Sequence, residues 1–279
     1  MSLLRRKFLG LSAAIAAAFV YVVPAAAMDS CAVGKTITEG KLTIATGNPA
    51  YYPWVHDDAP ESGKGFEAAV GYAVAAKMGF DKDNVVWVRT SFDEAIQPGA
   101  KNFDFNMQQY SITADRDKVV DFSNAYYSAA AAILVRKKTV EGGLKPEMAA
   151  LKSLKWGVVQ ATTALPVVTQ TIKPDSDPLF YDDNANAVAA MQADQIDAAI
   201  FDLATALYLS AVVLSDGVVL GQFPAENSEN PDQFGMLMAE GNPIKECVDK
   251  ALSALKADGS LAAIEAEWLQ SATSVPLIK

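Results

Sequence analysis

Gln108, Gln109, Ser111, Thr113 and Arg116 place two amides, two hydroxyls and a guanidinium within nine residues. The chemistry open to such a set is anion recognition. An arginine presents a planar fork of donors that matches a carboxylate bidentately, and Ser111 or Thr113 can complete the hydrogen bonding of its oxygens. Just upstream, Phe103, Phe105 and Met107 alternate with Asp104, Asn106 and Gln108, a period of two that predicts a half-buried strand. Open α/β sheets keep their ligands at the carboxyl ends of strands, where this loop would fall. Asp115, Asp117 and Asp121 are also near enough in sequence to pair with Arg116 on a solvated surface, so spacing alone leaves both roles open.

The elements that would position this loop follow from periodicity. Leu42 to Thr46 and Val85 to Val88 read as strands, and Phe66, Ala69, Val70, Ala73 and Val74 recur at helical spacing before Gly79. Phe92 opens a short helix that Pro98-Gly99 ends. Further strands are expected at 133–135, 155–159 and 196–201. Gln160-Ala161-Thr162-Thr163 is expected to turn into a helix capped by one of the threonines. Asn184 to Met191 and Leu203 to Ser210 are expected as helices, with Asp202 capping the second. Two helices end the chain, one built on Ile244, Cys247, Val248, Ala251, Leu252 and Leu255, the other on Leu261, Ile264 and Trp268. Ala100-Lys-Asn-Phe-Asp-Phe and Ala193-Asp-Gln-Ile-Asp-Ala share a pattern, which suggests two lobes on one plan. A length of 279 residues also favours two cores over one.

The order Ser-Ile-Thr, two residues, Arg, then Val-Asp-Phe-Ser and Tyr126-Tyr127 resembles the polar amino-acid-binding family (family 3) of periplasmic solute-binding proteins, the receptors that feed ABC importers. Leu42 to Trp54, Gly65-Phe66-Glu67, Ser91-Phe92-Asp93, Trp156 to Thr163 and Ile196 to Asp202 are similar to further family motifs, so the likeness spans most of the chain. The resemblance implies an α/β, bilobate type II periplasmic-binding-protein fold with a two-segment hinge. Its expected lobes are 28–129 with 239–279, and 130–238. The resemblance also implies that Arg116 and Thr163 hold a ligand carboxylate, that Asp202 holds an α-ammonium, and that Tyr51 and Phe92 pack the side chain. Asn48 stands where relatives that bind basic amino acids carry aspartate. With Gln108 and Gln109 replacing small residues, it points to a polar or small uncharged side chain.

Residues 1–27 read as an export signal: Arg5-Arg6-Lys7, an apolar run, and an Ala25-Ala26-Ala27 cleavage site. Secretory and twin-arginine routes both fit the paired arginines. Cleavage would remove three positive charges and no negative one, taking the formal charge from −10 to −13, which excludes nucleic acid as a natural partner. No later apolar run reaches the ~18 residues that cross a bilayer. A soluble, monomeric periplasmic protein without cofactor is expected, partnered by an α-amino acid and a membrane permease. Cys31 and Cys247 are the only cysteines; in an oxidising compartment, with both placed in one lobe by the resemblance, they are expected to form a disulfide.

Enzymatic signatures are sparse. His56, the single histidine, lies in an acidic loop without neighbours at metal-ligand spacing, and no nucleophile elbow, phosphate loop or dinucleotide fingerprint occurs. The rival reading is a cyclohexadienyl dehydratase on the same fold, with a cleft carboxyl as general acid. A sensory module for a receptor kinase is less well supported, because no transmembrane helix or signalling domain accompanies the sequence.

Overall fold

A computed structural model describes residues 31–223, 232–269 and 275–278. The expected export signal lies outside the described residues. In chain order the strands are β1 (Leu42–Gly47), β2 (Val85–Thr90), β3 (Phe105–Asn106), β4 (Val120–Phe122), β5 (Tyr127–Ala129), β6 (Ala131–Arg136), β7 (Trp156–Val159), β8 (Leu179–Tyr181), β9 (Ala198–Asp202), β10 (Gly217–Gln222), β11 (Asp232–Phe234) and β12 (Leu237–Ala239). They form two five-stranded sheets, β2-β1-β3-β12-β4 and β10-β6-β9-β7-β8. A two-stranded antiparallel ladder, β5 with β11, joins them. The molecule is thus an α/β protein of two lobes whose chain passes between sheets at β5 and again at β11.

Both sheets mix parallel and antiparallel neighbours. β1 runs parallel to β2 and β3, and β7 runs parallel to β8 and β9. The loops after β1, β3, β7 and β9 therefore leave their sheets at carboxyl ends, which face the space between the lobes. The Phe-Asp and Ile-Asp repeats do the same job in each lobe. Asp104 Oδ2 accepts from the Thr43 amide at 2.7 Å, tying β3 to the start of β1, and Asp197 Oδ2 accepts from the Lys155 amide at 2.9 Å, tying β9 to the approach to β7.

Burial is heavier than the alternation around β3 predicted. Phe103 to Met107 is buried at every position, polar residues included, because β3 is central in its sheet and covered on both faces. Asp104 is satisfied by the Thr43 and Ile37 amides, and Asn106 donates to Thr90 Oγ1. The helix Phe66–Lys77 packs on this sheet beside Lys245–Ala257 and Ser260–Trp268, giving a core through Leu42, Ile44, Phe66, Val70, Phe105, Val248 and Leu252. In the second lobe apolar clusters cover both sheet faces. Each such side chain, fully buried, is worth roughly 1.5–3 kcal/mol before entropy is charged against it.

The end of the chain differs from expectation. Residues 275–278 lie not with the first lobe but along β10: Gln222 N donates to Pro276 O at 2.8 Å, and Ile278 N donates to Gln222 O at 3.0 Å. The chain therefore reaches the second sheet once more after its helical ending. Cys31 and Cys247 are joined as a disulfide, with Cα atoms 5.7 Å apart. Among the described residues no helix is long and apolar enough to cross a membrane.

Candidate ligand-binding site

Between the lobes lies a cleft of about 860 Å³. Asn48, Tyr51, Phe92, Gln108, Gln109, Ser111, Arg116, Thr163 and Asp202 all line it. Residues up to 154 apart in sequence thus meet because every one lies at the carboxyl end of a sheet strand or on the loop or helix start just beyond it.

Arg116 is not a surface ion-pair residue. It is only 8 % exposed; Asp115 pairs instead with Lys118, and Asp121 accepts from the Gly241 amide. Its two terminal nitrogens donate to Ser111 O at 2.7 Å in the first lobe and to Ala161 O at 2.6 Å in the second. The guanidinium also sits 5.4 Å from the Phe92 ring centroid, at cation–π distance, and Phe92 stacks on Tyr110 at 4.5 Å. Phe92 therefore orients the arginine, a second task beside lining the cleft. Tyr51 lines the same cleft, and its hydroxyl is buried.

Thr163 stands at the start of a helical stretch beginning at Ala164, but neither threonine caps it as expected. Thr162 Oγ1 donates to Val159 O, and Thr163 Oγ1 is turned instead towards Ser111 Oγ, 3.5 Å away, and Asp232 Oδ2, 3.3 Å away. Asp202 does cap its helix, its Oδ1 accepting from the Thr205 amide at 2.8 Å. Burial pushes the Asp202 carboxyl up to about 6 against the pull of its bonds to Thr205, with the Asp232 charge adding to the rise. Trp54 closes the floor: its Nε1 donates to Thr205 Oγ1 at 2.8 Å, a buried hydrogen bond across the lobes.

The two glutamines line the cleft in different ways. Gln108 Oε1 accepts from the Tyr110 hydroxyl at 3.0 Å. Gln109 adopts a left-handed backbone, φ 53°, and both its amide N and its side-chain Nε2 bond Glu67, so its amide is committed away from any ligand. Glu67, which the sequence offers only as part of the Gly65-Phe66-Glu67 motif, is the partner that holds it. It is 1 % exposed and also accepts from the Tyr126 hydroxyl. Gly65 makes this placement possible: its φ is 101°, and a Cβ there would fall 2.5 Å from Trp54 O, so no other residue fits the entry to the helix.

Burial raises the Glu67 carboxyl from near 4.5 to about 7, despite the donors that favour its charged form. The folded protein therefore binds this proton more tightly than the unfolded chain does. Stability is full below the unfolded value and falls as pH rises through about 7, by at most roughly 3 kcal/mol for a shift of this size. Glu67→Gln is expected to remove most of that slope in denaturant unfolding between pH 5 and 8, leaving the smaller one from Asp202. An unchanged slope would mean that Glu67 is ionised throughout.

Asp232, at the start of β11, was not singled out from the sequence and had no signal there. It joins the cleft from the joining ladder, opposite Arg116. His56 pairs with Asp57 at 3.0 Å, and among the described residues no cluster could hold a metal ion.

Two α/β lobes joined by crossing strands, with a cleft lined by loops from both, define a bilobate ligand-binding protein of the type II periplasmic kind. Residues 42–271 match the model of the bacterial extracellular solute-binding proteins, family 3, and the chain belongs to that family. The histidine-binding periplasmic protein of Salmonella typhimurium is 27 % identical over 227 residues, covering 79 % of this chain and 84 % of the relative. The ABC transporter arginine-binding protein 1 of Escherichia coli is 26 % identical over 257 residues, covering 88 % and 98 %. Among solved structures, an ancestral arginine-binding protein bound to arginine superposes with a TM-score of 0.68 at 26 % identity, covering 83 % of this chain and 99 % of that one. An ancestral amino acid-binding protein described as a precursor of cyclohexadienyl dehydratase gives 0.66 at 26 % identity, covering 83 % and 96 %.

Proposed function

We propose that this protein is an exported, periplasmic receptor that captures an α-amino acid between its lobes and delivers it to the membrane permease of an ABC importer. The observation that carries the reading is the placement of Arg116 on a first-lobe loop and Asp202 at the end of a second-lobe strand, both lining one cleft. In this reading Arg116, Ser111 and Thr163 take the ligand carboxylate, and the Asp202 oxygen not used in the cap takes its ammonium. A zwitterion then bridges the lobes only when the cleft is shut, so closure reports occupancy to the permease. Relatives named for histidine and arginine binding support the ligand class.

The side chain is read as polar. A small uncharged side chain is the weaker version, since Gln109 is held by Glu67 and the cleft is far larger than such a group needs. Asp93, Asp182, Asp183, Asp202 and Asp232 line it against Arg116 alone among the described cationic residues, which favours a cationic side chain even with Asn48 in place of an aspartate.

A thermal-shift screen of the twenty amino acids tests this reading, because a ligand stabilises the state it binds. At least one polar amino acid is expected to raise Tm, with Asp202→Asn reducing the rise. The dehydratase reading has one observation in its favour, a cleft carboxyl raised to about 6 in Asp202, a value suited to a general acid. Turnover of prephenate or arogenate with release of carbon dioxide, and no amino-acid response, would establish it instead.

A further inference from the structure

Three groups assigned to the ligand carboxylate already face a carboxylate of the protein itself. Thr163 Oγ1 donates to Asp232 Oδ2 at 3.3 Å, Ser111 Oγ lies 3.5 Å from Thr163 Oγ1, and the Ser111 hydroxyl and the Arg116 charge both act to lower the Asp232 carboxyl. The backbone fixes this arrangement. Ile112 N donates to Gln233 O at 2.8 Å, and Ser111 bridges to Phe234, so β11 runs beside the recognition loop and delivers Asp232 to its mouth. Ser111 belongs to the first lobe, Thr163 to the second, and Asp232 to the ladder between them. One internal carboxylate thus touches both lobes at the point where a ligand's would.

We propose that Asp232 is an internal occupant of the carboxylate corner, bridging Ser111 and Thr163 across the cleft, and that an amino acid binds by displacing it. The inference rests on the amino-acid reading given above. Two carboxylates cannot share one arginine and two hydroxyls without repulsion in a desolvated site, so Asp232 sets the affinity by competing with the ligand rather than by holding it. Burial raises the Asp232 carboxyl above its ordinary value, and Ser111, Thr163 and the Arg116 charge offset only part of that rise, so the group is held at a desolvation cost that its displacement would relieve. The arrangement also selects ligands: only one with enough additional contacts for its ammonium and side chain can displace an occupant that is already tethered.

Asp232→Asn keeps the shape and removes the charge. Calorimetry with whichever amino acid stabilises the wild type is expected to show binding about tenfold tighter in Asp232→Asn. Weaker binding would overturn the proposal and make Asp232 a direct ligand contact. A second arm does not depend on the ligand's identity. In Asp232→Ala the corner is vacated, so acetate is expected to raise Tm in that variant more than in the wild type, and the added change Arg116→Ala is expected to abolish the difference. Equal acetate responses in the two proteins would overturn the proposal. A wild type that binds no amino acid but shows the acetate difference would sink the amino-acid reading while leaving the occupied corner in place.

Discussion

Arg116→Ala is expected to weaken amino-acid binding by about 30-fold or more, while Lys137→Ala leaves it unchanged. The size follows from what the guanidinium does at once. It is the cationic side chain lining the cleft, it is buried, and its two terminal nitrogens hold one carbonyl in each lobe, Ser111 O and Ala161 O. Truncation removes the counter-charge of the ligand carboxylate, leaves both carbonyls without that donor, and takes away the positive charge that acts on Asp232. Truncating one member of a desolvated charge pair costs ~2–5 kcal/mol, and ~1.4 kcal/mol is tenfold in affinity. Lys137 is the matched control, because it is 65 % exposed and pairs only with Glu141 at 3.5 Å, the kind of surface pair that contributes little. Calorimetry on both variants, with unfolding curves to show that each is folded, measures the contrast. Equal affinities would mean that the carboxylate is held elsewhere and that the ligand lies in another part of the cleft.

What the sequence revealed of this site, and what it hid, divides along a physical line. Local pattern placed Arg116, Ser111, Thr163 and Asp202 beyond strand ends, where they now line one cleft, but their expected roles as ligand contacts came from the family resemblance. The disulfide was legible because the export signal implies an oxidising compartment and the family resemblance places both cysteines in one lobe. Glu67 was not, since its burial depends on Gln109 and Tyr126, 42 and 59 residues away, and nothing about a glutamate in a first helical turn announces such partners. Gln109 was misread for the same reason: its left-handed backbone turns the amide onto Glu67 rather than into the cleft. Asp232 lies on a three-residue strand that exists only because β5 passes alongside, so no periodicity marked it. The tail at 275–278 likewise takes its place from the open edge of β10, a tertiary opportunity with no local signature. Short elements stabilised by distant partners are the ones that pattern reading misses.

Removing the Cys31–Cys247 bond is expected to produce the largest loss of stability and almost no loss of affinity. The bond closes a loop spanning 216 residues, nearly the whole described chain, and in the chain-entropy model a loop of that length restricts the unfolded ensemble by about 5 kcal/mol. Measured losses on removing native disulfides run ~2–5 kcal/mol, so a decrease in that range is expected for Cys31→Ser with Cys247→Ser in guanidinium unfolding. Cys247 is 2 % exposed on the helix Lys245–Ala257 and packs among Val248, Ala251 and the helix Phe66–Lys77. The serine hydroxyl left there adds a desolvation cost, which Cys247→Ala avoids, so the alanine pair isolates the cross-link itself. Neither cysteine lines the cleft, and the elements that carry Arg116, Thr163, Asp202 and Asp232 are held by their own ladders, so the ligand should bind the folded variant as before. Stability that falls together with affinity would mean that the bond also sets how the first lobe presents Arg116. Stability that does not fall would show that the unfolded chain is already restricted by residual structure, against the unstructured chain that the entropy model assumes.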